Sequence, residues 1–115
     1  MAQKSEIKII VRLDDDKIPS SIEWTSDEGN EQYTEAKAFL LSIFEKNSQD
    51  TLKLDLWTKE MEIGEMDRFM YHTLKSLCDT YTKATNHAEL GNEMMKFVEY
   101  FGSKVTGKSA DDNKL

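Results

Sequence analysis

Between Ile63 and Ala84 the residues Ile63, Met66, Met70, Leu74, Leu77, Tyr81 and Ala84 recur at three- and four-residue steps. That is the period of one face of an α-helix, sustained over about six turns. No other segment restricts the fold as tightly, because so long an apolar stripe must be covered by something else in the chain. Asn86, followed three residues on by Glu89, reads as a capping box. It opens a further helix carrying Leu90, Met94, Phe97, Val98, Phe101 and Val105.

The first half of the chain alternates instead. In "SEIKIIVRL", Ile7, Ile9, Val11 and Leu13 face inward, with Glu6, Lys8, Ile10 and Arg12 outward, the pattern of a strand. The aspartates of "DDDK" supply a turn by capping their own backbone amides. Ile18, Ile22 and Trp24 share one face of a second strand, which lies at an edge or starts late because Pro19 lacks an N–H. Tyr33, Ala36, Leu40, Ile43 and Phe44 fit a helical stripe that stops at Asn47, Ser48 and Asp50. Leu52, Leu54 and Leu56 then alternate with Lys53, Asp55 and Trp57 in a third strand. The order β-β-α-β-α-α predicts an α+β fold, a small three-stranded antiparallel sheet with three helices on one face. A right-handed crossover gives the spatial strand order two-one-three. Residues 1–105 read as a single domain, and 106–115 as a disordered C-terminal tail with too little apolar surface to offset its ordering entropy.

Composition restricts the partners. At 115 residues the chain can bury a real core, but with 38% hydrophobic and 32% charged residues that core is thin. A net charge of −7 repels nucleic acid backbones and anionic lipid, and the lysines form no basic patch. Cys78 is the only cysteine, which excludes an internal disulfide and fits a reducing compartment. "MAQKSEIKII" has neither the apolar core nor the cleavage site of a secretory signal. No apolar run reaches the roughly 20 residues that cross a bilayer. The expectation is a cytoplasmic domain with no direct membrane insertion.

Catalytic patterns are sparse. His72 and His87 belong to different helices, and Cys78, six residues beyond His72, points away from it, so no metal-ligand set converges. Asp14, Asp15 and Asp16 lack the glycine and distal glutamate of a calcium loop and read as a plain turn. No phosphate loop or nucleophile elbow is found. Cys78 reads as a small core residue, and Met66, Met70 and Met94 as core filling. The reading is a non-enzyme with no catalytic residues, no cofactor and no metal.

Taken together, "SEIKIIVRLD", "EAKAFLLSIFE", "LDLWTKEM", "EMDRF" and "FVEYF" resemble the gliding-motility-associated protein C (GldC) family of Bacteroidetes over nearly the whole chain. The most specific piece is "LDLWTKEM" followed closely by "EMDRF". The family pattern has a glutamine where His72 stands and a tryptophan where Phe44 stands. The resemblance implies an accessory protein of the gliding machinery, with protein partners and no known reaction, cofactor or catalytic residue to carry over. A homo-oligomer, including one joined through a strand edge, stays open.

Two functions compete. The first is a protein-interaction module of the motility apparatus. The second is a small-molecule-binding or enzymatic domain, with a pocket between sheet and helices lined by Trp24, Met70 and Tyr81. The first has a candidate surface. With the three leucines inward, Trp57 points outward beside Asp55, and Ile10 points outward between Lys8 and Arg12. Were these strands neighbours, Ile10 and Trp57 would form an apolar island in a charged sheet face, a common form of interaction site. The alternative has the strand ending at Leu56, with Trp57 folded back as a lid on the core.

Overall fold

The alternation of Ile7, Ile9 and Val11 with Lys8, Ile10 and Arg12 produces strand β1 (Ile7–Leu13) in a computed structural model that describes residues 3–27 and 32–106. Asp14 then turns the chain. Its Oδ1 accepts hydrogen bonds from the amides of Asp16 (2.8 Å) and Ile18 (3.0 Å), and Lys17 takes a left-handed φ of 63°. Strand β2 (Pro19–Ser26) returns antiparallel, with Val11 opposite Ile22 and Ile9 opposite Trp24. Pro19 occupies the first strand position, where its missing N–H is tolerated, and the register shifts beside it, between Arg12 and Leu13. Strand β3 (Thr34–Ala36) pairs with the other edge of β2, placing β2 at the centre of a β1-β2-β3 sheet.

One residue, Lys37, separates β3 from β4 (Ala38–Phe44), which forms a separate two-stranded sheet with β5 (Thr51–Trp57). Leu41 stands opposite Leu54 and Ala38 opposite Trp57. The hairpin closes through hydrogen bonds from the Glu45 amide to the Asp50 carbonyl and from the Gln49 amide to the Glu45 carbonyl, both 2.9 Å. At its other end the Thr58 amide donates to the Lys37 carbonyl (2.8 Å).

This architecture corrects the expected fold in three places. The segment Tyr33–Phe44 holds strands, not a helix: Phe39, Leu41 and Ile43 alternate against Leu56, Leu54 and Leu52. Among the described residues there are therefore two sheets and two helices, where one sheet and three helices were expected. The order two-one-three fails as well, because the Thr51 strand pairs with β4 and not with β1. Fold class α+β stands.

The chain divides into two compact units, Met1–Met61 and Glu62–Leu115, each described by itself. The second contains α1 (Ile63–Thr85) and α2 (Ala88–Val105). The Glu62 amide donates to Glu65 Oε1 (3.0 Å) at the start of α1. Asn86, expected to cap α2, instead ends α1 in the left-handed conformation, with φ 58° and its amide donating to the Thr82 carbonyl. His87 takes over the cap of α2, its Nδ1 accepting from the Leu90 amide (3.3 Å). The two-residue link folds the helices back on one another, and glycines permit their close approach. A Cβ at Gly91 would lie 2.1 Å from Thr82 Oγ1, and one at Gly102 would lie 2.5 Å from the Tyr71 ring. Cys78 and Val98 are buried, and the Cys78 thiol donates to the Gly91 carbonyl (3.1 Å). Thr106 closes α2 through its amide to the Gly102 carbonyl (3.0 Å). The rest of the tail read from the sequence lies outside the described residues.

Candidate protein-interaction surface

Cross-strand partners share a face of a sheet, so the pairings sort every side chain of the strand unit. In the three-stranded sheet, Lys8, Ile10 and Arg12 lie on one face with Ser21, Glu23, Thr25 and Glu35. Ile10 is half-buried there, and Arg12 Nη2 pairs with Glu23 Oε1 at 3.0 Å. The opposite face carries Ile9, Val11, Ile22, Trp24 and Ala36, and Ile22 is fully buried.

In the hairpin the faces divide unequally. Phe39, Leu41 and Ile43 of β4 join Leu52, Leu54 and Leu56 of β5 in an unbroken apolar face. It is open: Leu54 is 48% exposed and Leu52 65%. The other face carries Trp57, Asp55 and Lys53 beside Ala38, Leu40 and Ser42. Lys53 Nζ donates to Asp55 Oδ2 at 2.5 Å, and this hydrogen bond together with the ammonium charge holds the Asp55 carboxyl below the usual carboxylate range.

Trp57 keeps the pleat. The strand does not end at Leu56, and Trp57 stands opposite Ala38 on the polar side, 54% exposed. A groove of about 250 Å³ lies beside it, lined by Ile18, Pro19, Asp55, Leu56 and Trp57. The turn that presents Ile18 is anchored on two sides. Asp14 holds the Ile18 amide through Oδ1 and is ion-paired through Oδ2 with Lys59, just beyond β5. The Lys59 hydrogen bond is the main reason the Asp14 carboxyl titrates below its ordinary value, with the Ile18 amide second.

The five residues singled out in the sequence thus fall into two groups. Lys8, Ile10 and Arg12 share a face of one sheet, and Asp55 and Trp57 share a face of the other. β1 and β5 belong to different sheets, so no ladder places Ile10 beside Trp57. Sequence reasoning missed Ile18 and Pro19 as neighbours of Trp57, because no local spacing reports a contact between β5 and the start of β2. It also missed the apolar face of β4. The signal there was the alternation of Phe39, Leu41 and Ile43, hidden by the equally apolar Ala38, Leu40 and Phe44 of the opposite parity.

His72 is exposed and meets Tyr71 edge-on, with ring centroids 5.2 Å apart, whereas His87 caps a helix and Cys78 is buried. Among the described residues no three His, Cys, Asp or Glu side chains gather as a metal site. Trp24 lines an apolar cleft of about 250 Å³ within the strand unit, together with Ile9, Ile22, Ala36 and Phe39. Met70 and Tyr81 lie on α1. No described helix is long and apolar enough to cross a membrane.

The family comparison joins these pieces. A model described as "Gliding motility-associated protein GldC-like" matches residues 19–107, which run from the first residue of β2 through both helices. The chain belongs to the GldC-like family. No curated protein and no solved structure gives a match. Within this GldC-like chain the match takes in Trp57, its groove and the hairpin, while β1, with Lys8, Ile10 and Arg12, precedes it. The family's description associates the chain with gliding motility and names no reaction.

Proposed function

We propose that this GldC-like chain is a non-catalytic protein-interaction module, an accessory component of the gliding machinery that acts in the cytoplasm without a cofactor. The observation that carries the reading is Trp57, more than half exposed beside a groove formed with Ile18 and Pro19 and bordered by the Lys53–Asp55 ion pair. Tryptophan is among the residues enriched in binding hot spots, which are ringed by contacts that exclude water. Family membership supplies the process, and the groove supplies the surface. Lys8, Ile10 and Arg12 form a second, more charged patch of the same unit, available to a partner large enough to touch both sheets.

The test is Trp57→Ala in a gliding bacterium from which the native chain has been deleted. The variant should stay within about 1 kcal/mol of wild-type stability, because the indole is half in water already. It should nonetheless weaken capture of the partner by about 2 kcal/mol or more and reduce colony spreading. Full spreading and undiminished capture by the folded variant would refute the role of this groove.

The apolar cleft beside Ile22 and Trp24 supports the second reading, a small-molecule site. Its lining of isoleucine, alanine, phenylalanine, leucine and Trp24 brings no set of polar groups together, and its 250 Å³ falls just under the ~300–1,000 Å³ usual for ligand pockets. Native mass spectrometry of the purified chain tests it directly, since a bound apolar ligand would appear as a discrete mass increment.

A further inference from the structure

The edge of β5 that pairs with no described strand carries a self-complementary pattern. In an antiparallel ladder, residues alternate between directing their backbone N–H and C=O at one neighbour and at the other. The hydrogen bonds from Glu45 to Asp50 and from Thr58 to Lys37 fix the phase of the β4-β5 ladder. Counting inward from both, residues 52, 54 and 56 direct their backbone groups toward β4. Thr51, Lys53, Asp55 and Trp57 therefore direct theirs to the opposite edge, and among the described residues β5 has no strand partner other than β4.

We infer that two copies of the chain pair antiparallel through this edge, with Leu54 on the two-fold axis. In that register Lys53 of each copy stands opposite Asp55 of the other, and Thr51 opposite Trp57. All four are edge-directed residues, so each pair exchanges its backbone hydrogen bonds. Leu54 meets its own symmetry mate and Leu52 meets Leu56, at the non-hydrogen-bonded positions where side chains approach most closely. Charge selects the register. A slip of two residues in one direction sets Lys53 against Lys53, and in the other Asp55 against Asp55, and like charges directly opposite are unfavourable.

The dimer also answers the exposure of the hairpin. Two strands alone are marginal in water, whereas three or more sharing an apolar face are stable. Pairing β5 with its copy makes a four-stranded sheet in which the leucine faces of both chains become continuous. A second copy fits this edge better than an unrelated strand, because the partner must present Asp opposite Lys53 and Lys opposite Asp55, and this chain's own β5 does so. The inference shares Lys53, Asp55 and Trp57 with the proposed partner groove but does not rest on the motility role, and it is tested on the purified chain alone.

Sedimentation velocity of the full chain should show a concentration-dependent dimer. Lys53→Asp alone and Asp55→Lys alone should each weaken it at least about tenfold, by replacing two attractive pairs with two repulsive ones. An equimolar mixture of the two variants should dimerise again, since one chain then offers two acidic edge residues and the other two basic ones. Leu54→Cys should cross-link on oxidation, with the bridge mapped to position 54 in both chains, because residues facing each other across an antiparallel pair fall within disulfide reach. Cys78 is buried and will not compete. A chain that stays monomeric at about 100 μM, where a 1 μM dimer would be nearly complete, overturns the inference. So does a dimer indifferent to both charge variants, or a mixture that fails to reassociate.

Discussion

Replacing Gly102 by alanine sets two effects of known sign against each other. In a helix interior alanine is favoured over glycine by about 0.8–1.0 kcal/mol. Here the new Cβ would lie 2.5 Å from Tyr71 Cε1 and 3.0 Å from Cδ1, against the 3.4 Å and more of ordinary contact, so the ring or the helix must move by nearly 1 Å. Overpacking of that kind costs about 1–3 kcal/mol. The balance is a net destabilisation of up to about 2 kcal/mol. Gly64→Ala is the control. It lies in the first turn of α1 with nothing within 4 Å of its would-be Cβ, and should raise stability by a few tenths up to about 1 kcal/mol. Urea unfolding followed by far-ultraviolet circular dichroism reads both. In a Tyr71→Ala background the space opens, and Gly102→Ala should become neutral or stabilising. If Gly102→Ala stabilises the wild-type chain as Gly64→Ala does, the close approach of α1 and α2 is refuted.

Two further outcomes follow from packing and charge. Leu74→Ala, at a half-buried position on α1, should cost about 1–3 kcal/mol, below the 2–5 kcal/mol of a fully buried leucine, while exposed Lys75→Ala costs under about 0.5 kcal/mol; equal urea midpoints would reject this orientation of α1. Asp14 titrates below its ordinary value of 3.8 because Lys59 holds its carboxylate, so its contribution is complete above 3.8 and is lost as pH falls through the lower folded value. Asp14→Asn should therefore destabilise the chain at neutral pH and narrow its difference from wild type on acidification; a difference that is constant across that window would show that the ion pair contributes nothing.

The sequence was legible where one period stood alone. β1, β2 and β5 set charged or polar residues among their apolar ones, with Ile10 the one interruption in β1, so period two could not be mistaken. The helical stripe from Ile63 is interrupted by Glu65, Asp67, Lys75 and Asp79 at the intervals that make a helix amphipathic. The segment "AKAFLLSIF" has no such contrast. With Ala38, Leu40 and Phe44 on one face and Phe39, Leu41 and Ile43 on the other, an apolar residue lies at nearly every step. Three- and four-residue spacings can then be drawn through it by chance. The helix-forming Ala36, Lys37 and Leu40 favoured the wrong choice, and pairing with β5, invisible locally, decided the right one. Asn86 was misjudged for a related reason. Asparagine serves both ends of helices, and only a left-handed φ distinguishes them. Trp57 was the reverse case. Its anomalous position in the alternation was local information, but it left an exposed indole and a lid on the core as rival readings of the same residues; the ladder to Ala38, which local spacing does not report, keeps the indole exposed.

Lys37 has a consequence for how this family can change in length. It is the one residue between a strand committed to β2 and a strand committed to β5, so Thr34–Phe44 serves two sheets at once. Side chains in a strand alternate with strict parity. A single-residue insertion or deletion anywhere from Thr34 to Ala38 would turn everything beyond it to the other side, sending Phe39, Leu41 and Ile43 across to the face of Trp57 and Asp55. Two simultaneous shifts of opposite sign would be required to restore the arrangement, and the intermediate would break one sheet or the other. The turn at residues 46–49 carries no such double obligation, because the ladder that follows it is set by β4 alone. Evolutionary gaps in relatives of this chain should accumulate at that turn and avoid the bent strand.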